Sequence, residues 1–149
     1  MNFIDTNIDS VLLKLESLKP DTAPLWGQMS AQEMVEHLAV VLDLAIGKSS
    51  FPMMVSEDKI SRAQDFISSE HPMPKNFKVN FAIKNENLKY QSIQGAIIGF
   101  SEAWKSFTDY YDDNPNQKNL HPNFGSLDYS QWMRLHSKHL THHFEQFGI

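Results

Sequence analysis

A chain of 149 residues fits one compact domain, and a content of 41% hydrophobic and 11% aromatic residues supplies a core and excludes a disordered chain. The net charge of -5, with no clustered Lys or Arg, argues against nucleic acid or an anionic membrane as partner and favours a small molecule. The absence of cysteine removes disulfides, thiolate nucleophiles and thiolate metal ligands, so any metal must be held by nitrogen and oxygen. No stretch approaches the length of a membrane span and the N-terminus lacks a signal-like pattern, which predicts a cytoplasmic protein.

In chain order, Ile8, Val11, Leu12, Leu15 and Leu18 recur at helical spacing and predict a first helix over Thr6 to Leu18. Asp5 or Thr6 serves as its N-cap, and Pro20 follows its end. The segment Lys19 to Met29 holds two prolines and a glycine and reads as a connection, with Trp26 folded back onto the core. Ser30 and Glu33 then have the spacing of a capping box, in which each side chain meets the other residue's backbone N–H.

The second helix that starts there carries an inward stripe of Met34, His37, Leu38, Val41, Leu42 and Ala45, and Gly47 supplies a left-handed stop. His37 therefore lies on an apolar face, where a histidine is either a core residue bonded to a backbone carbonyl or a ligand.

Residues Ser56 to Ser69 fit a short helix with Ile60, Ala63, Phe66 and Ile67 inward, which His71-Pro72-Met73-Pro74 breaks. Phe77 to Ile83 alternates like an extended strand, so 51–87 reads as a short helix in an elaborated crossover, and His71 as a surface loop residue. A long third helix is predicted from about Asn87 to Tyr110, with Ile93, Ala96, Ile97, Phe100, Trp104, Phe107 and Tyr111 as its stripe. Gly95 and Gly99 cost it helix propensity and admit a close neighbour. Asp112 to Leu127 is a turn-rich connection, after which Ser126 or Asp128 caps the last helix.

That last stretch, DYSQWMRLHSKHLTHHFEQFGI, carries four of the seven histidines within eight residues. At helical spacing His136, His139 and His143 fall within a roughly 60° arc, while His142 points roughly 100° away from His143. The arc also holds Tyr129, Trp132, Met133, Leu140, Phe144 and Phe147, which makes it the inward face and sets the cluster apart from an appended tag. Converging buried imidazoles satisfy their donors and acceptors by binding a divalent cation, for which an i, i+4 pair is suitable. The fold class this pattern predicts is all-α, an antiparallel four-helix bundle with an elaborated crossover between helices two and three, spanning 1–149 as one domain.

WGQMSAQEMVEHL, from Trp26 to Leu38, and HPNFGSLDYSQWMRLHSKHLTHHFEQFGI, from His121 to Ile149, together resemble the DinB-like superfamily, and within it a bacterial branch of unknown function. Glu145 departs from that branch, where a basic residue is common before the Gln-Phe-Gly ending. The resemblance implies a four-helix bundle that binds a divalent metal through one histidine on the second helix and an H-x-x-x-H pair on the fourth. Those positions are His37, His139 and His143 here. It further implies a metal-dependent thiol S-transferase or hydrolase acting on a small-molecule substrate with a low-molecular-weight thiol as co-substrate; apart from the resemblance, zinc or nickel is the expected metal, although imidazole suits iron and copper too, and a homodimer is a candidate assembly.

Beside the three ligands, His136 is a residue behind the site, a fourth ligand or a base; His121 and Glu33 are further acid–base or positioning candidates. His121 also fits a turn-stabilising role, and Glu33 its capping box. The competing expectation is a non-catalytic helical bundle, a ligand-binding or stress-related accessory protein whose histidines bind no metal.

Overall fold

The computed structural model describes residues 2–75 and 87–149. Among them the fold is mostly helical, with five α-helices: α1 (Ile8–Glu16), α2 (Ala31–Ala45), α3 (Ile60–Ser68, entered through a 3₁₀ turn at Glu57–Lys59), α4 (Ile93–Asp113) and α5 (Tyr129–Phe147). Two short antiparallel strands, β1 (Asn119–His121) and β2 (Gly125–Leu127), pair with Leu120 opposite Ser126. They lie inside the connection, Asp112 to Leu127, that the sequence marks as turn-rich. The expected strand over Phe77 to Ile83 lies outside the described residues.

Helix α2 packs most extensively against α4, α1 also lies on α4, and α5 contacts both α2 and α3. Between them lies a core that includes Leu15, Met34, Phe100, Phe107, Trp132 and Phe144, each at most 2% exposed. Full burial of a side chain of this size contributes about 1.5–3 kcal/mol before the cost of ordering the chain.

The helix ends explain where each element starts and stops. α1 begins two residues later than expected, because Asn7, rather than Asp5 or Thr6, accepts the backbone N–H of Ser10. The capping box at the start of α2 is present in both directions, Ser30 Oγ accepting from Glu33 N and Glu33 Oε1 from Ser30 N. At its other end Gly47 adopts φ 78°, and the N–H groups of Gly47 and Lys48 close back onto the carbonyls of Leu44 and Asp43. The last carbonyl of α2, on Ala45, accepts from the Tyr111 hydroxyl at 2.7 Å and from Asn119 Nδ2 at 3.0 Å. The hairpin side of the fold thereby ties α2 to α4.

Helix α4 starts at Ile93 rather than near Asn87 because the preceding backbone is already engaged elsewhere. The buried carboxylate of Glu36 on α2 accepts from Lys89 N at 2.7 Å and Tyr90 N at 3.3 Å, and Gln32 Nε2 donates to Tyr90 O. Ser92 then caps the helix by accepting from Gly95 N. The close neighbour that Gly99 admits is the ring of Tyr90, folded over α4 from the segment that precedes it. A Cβ at Gly99 would lie 2.2 Å from the Tyr90 hydroxyl oxygen.

Helix α5 is capped by Asp128, with Gln131 completing a second capping box that the sequence reading did not anticipate. Along its flank, Arg134 donates to the carbonyls of Ile67 and Ser69, and the fully buried Lys138 donates to those of Phe66 and His71. Two cations on α5 thus supply charged donors to carbonyls at and beyond the C-terminal end of α3. On the same side of α5 the N-terminal segment is tied down, Ile4 N donating to Thr141 Oγ1 and Ser137 Oγ to Ile4 O.

Candidate metal centre

His37 sits on the second turn of α2, and His139 and His143 are one turn apart on α5. All three are buried, at 2%, 8% and 6% exposure. Their Nε2 atoms converge: that of His139 lies 2.9 Å from His37 Nε2 and 3.0 Å from His143 Nε2. The rings meet edge to face, with centroids 4.6 to 5.2 Å apart, so each directs a nitrogen to a common point instead of stacking. One nitrogen from each residue lies within 4.8 Å of the others, close enough for a single ion.

Charge and hydrogen bonding both leave lone pairs available at that point. Burial pushes His37 down from 6.5 to about 4, with His142 adding to the effect, and holds His139 and His143 well below the usual histidine range. Neutral imidazole is the ligating form. His143 Nδ1 lies 2.7 Å from Gln146 Oε1, an oxygen that only accepts, a contact that calls for a proton on Nδ1 and a lone pair on Nε2. A tetrahedral ion at about 2.0–2.1 Å from each nitrogen spaces its ligands about 3.3 Å apart. His139 needs to part from His37 and from His143 by only a few tenths of an ångström to reach that spacing.

The other candidates are placed differently. His136, on the same arc of α5, turns to α4 instead of α2: its ring lies 4.7 Å from Phe107 and 6.2 Å from Trp104, and it stacks on Trp132 at 5.8 Å. Burial first, then His121, lowers it to about 3. It approaches the triad only from behind, across a small gap that it lines together with His139, Leu140 and Phe100.

His121 ends β1 and is buried, not held out at a mouth of the fold. Its Nδ1 accepts from Asn123 N at 2.9 Å within the hairpin turn, its ring faces Trp132 and Phe124, and burial lowers it to about 3. That is the turn-stabilising role. Glu33 is engaged in its capping box. His142 is half-buried against Trp26, at 5.7 Å, with burial lowering its pKa and a hydrogen bond to the Met73 backbone opposing this. It borders a cavity of about 290 Å³ with Phe3, Trp26, Met73, Lys75 and Glu145. His71 is exposed, as expected of a loop residue, and its carbonyl accepts from Lys138.

The residue that sequence reasoning passed over is Gln146. It is buried at 6% exposure and hydrogen-bonded on both sides, and its only sequence signal is its place one turn after His143 on an inward stripe. No helix among the described residues is long and apolar enough to cross a membrane. Comparison of the chain with protein-family models, with curated proteins and with solved structures finds no match.

Proposed function

We propose that this chain is a divalent-metal protein in which His37, His139 and His143 hold the ion, within an antiparallel four-helix bundle of DinB-like type made by α1, α2, α4 and α5. The observation that carries the proposal is the convergence of three buried Nε2 atoms from two helices, 2.9 and 3.0 Å from His139 to its two neighbours, with Gln146 Oε1 2.7 Å from His143 Nδ1 on the far side of that ring. The motif around Trp26 to Leu38 and the H-x-x-x-H pair support the same assignment through their resemblance to that superfamily. Bound there, zinc or nickel with three neutral imidazoles keeps an open Lewis-acidic position, the chemistry of small-molecule hydrolysis and of thiol transfer.

The protein's own part is to hold the three rings neutral, to fix the His143 tautomer through Gln146 and to keep water from the back of the site with the rings of Trp104, Phe107 and Trp132. His136 is enclosed by those rings, and in this reading it shapes the site from behind without touching substrate.

A second reading, a non-catalytic bundle, is favoured by one specific fact: His139 Nε2 already lies within hydrogen-bond distance of the Nε2 atoms of both His37 and His143, contacts that need no ion. Metal analysis of purified protein separates the two, run beside His37→Ala, His139→Ala and His143→Ala. One equivalent of metal in the wild type, lost in all three folded variants, supports the metal protein. A folded wild type that takes up no added zinc or nickel leaves the packed-histidine reading. A screen of thiol conjugation and ester or amide hydrolysis with the loaded protein then chooses the reaction.

A further inference from the structure

The amide of Gln146 is a bridge with a defined direction. Its Nε2 donates to the carbonyl of Trp26 at 3.1 Å, and since a carbonyl only accepts, the amide can be oriented one way. Its Oε1 then faces His143 Nδ1 at 2.7 Å. Two further contacts hold the Trp26 segment in place to receive it. The Leu25 N–H donates to the backbone carbonyl of Gln146 at 2.7 Å. Gly27 follows with φ +77°, and a Cβ there would lie 3.0 Å from Gln146 Nε2, so the loop passes the amide at a distance that only glycine permits comfortably.

We infer that Gln146 is a positioning residue that transmits the placement of the loop 25–27 to the metal centre, by locking His143 in the tautomer with its proton on Nδ1 and its Nε2 lone pair facing His37 and His139. The inference rests on the metal reading for its consequence, but the tautomer exists in the metal-free chain and is measurable without an ion. Isolated neutral imidazole prefers the proton on Nε2, which in His143 would point a hydrogen into the ligand set. The Trp26 carbonyl orients the amide, the amide orients the ring, and the ring presents its lone pair. A hydrogen-bonded partner behind a ligating histidine is worth about 10–100-fold in metal affinity.

The test uses the full chain and zinc alone. In the metal-free wild type, two-dimensional ¹H–¹⁵N spectra of the imidazoles are expected to show His143 protonated on Nδ1. Gln146→Met, close in volume and unable to accept, is expected to move that proton to Nε2 and to weaken zinc binding about 10–100-fold in a chelator competition. Gln146→Glu keeps the acceptor for Nδ1 but loses the donor to the Trp26 carbonyl, so it is expected to keep the proton on Nδ1 and to bind zinc with an affinity between those of the wild type and Gln146→Met. Protonation of His143 on Nε2 in the wild type overturns the inference. So does a tautomer, or a zinc affinity in a zinc-binding wild type, that is unchanged in folded Gln146→Met. Should Gln146→Met fail to fold, the wild-type spectrum and Gln146→Glu still decide. A wild type that shows the expected tautomer but takes up no zinc supports the positioning role and sinks the metal reading instead.

Discussion

The Nε2 atom of His37 lies 2.9 Å from that of His139, across 102 residues of chain and between two different helices. Only the folded chain brings the two together, so a ligand gripped by both stabilises the folded state and not the unfolded one. Zinc at 100 times its dissociation constant is expected to stabilise the wild type by about 2.7 kcal/mol in urea unfolding, and a chelator to remove that increment. His37→Ala and His139→Ala are expected to show no zinc-dependent shift.

Acid is expected to destabilise the metal-free protein well above the range of carboxylate titration. In the folded chain burial holds His121 and His136 neutral down to about 3, while the unfolded chain protonates them below 6.5. The unfolded state therefore binds more protons throughout that window. The contribution is fully present above pH 6.5 and is lost as pH falls towards 3, at about 1.4 kcal/mol per pH unit for each ring. Urea midpoints at pH 7, 6 and 5 measure the slope, which His136→Phe is expected to flatten by about one ring's share.

Among the described residues Lys138 is a fully buried cation. Its ammonium is fully buried, donates to two carbonyls at and beyond the end of α3, and sits 3.9 Å from the centre of the Phe66 ring. Lys138→Met keeps the stem and takes a charged donor from both carbonyls, of which that of Phe66 still accepts from Ser69, with an expected loss of about 1–3 kcal/mol. Hydrogen exchange should place the loss in α3 and the segment after it.

The two glycines of α4 are expected to respond unequally to alanine. At Gly99 the new methyl meets Tyr90 ring atoms at 2.2 to 2.8 Å and must expel the ring, at a cost of about 1–3 kcal/mol. At Gly95 the nearest atom is Ser92 Oγ at 3.3 Å, and a gain of up to about 1 kcal/mol in helix propensity offsets a small displacement of the cap. Thermal unfolding of Gly95→Ala and Gly99→Ala, compared side by side, checks the difference.

The helices, and the stripe that each turns inward, were readable from periodicity because burial repeats with the helical turn. Their ends were less readable wherever a distant group competes for the backbone. Glu36 delays the start of α4 by binding Lys89 and Tyr90, 53 and 54 residues away, and no local pattern around Asn87 reports that. The histidines show the same division. Spacing put His136, His139 and His143 on one arc, but an arc does not say which part of it faces α2 and which faces α4. The structure turns His139 and His143 towards His37, and His136 towards Phe107. Gln146 stayed unread because a glutamine carries no chemistry of its own until its two partners, from opposite ends of the chain, are in place.

The pairing of the Tyr111 hydroxyl with the Ala45 carbonyl has a bearing on His37, although Ala45 lies about 12 Å further along α2. A helix packed by smooth apolar ridges can slide along its axis, and a slip of one turn, about 5.4 Å, would carry the His37 ring away from both partners on α5. Tyr111 and Asn119 pin the far end like a depth stop, fixing how far the imidazole reaches along the cleft. Loosening that pin is the way a change remote from every histidine would blunt the grip on an ion.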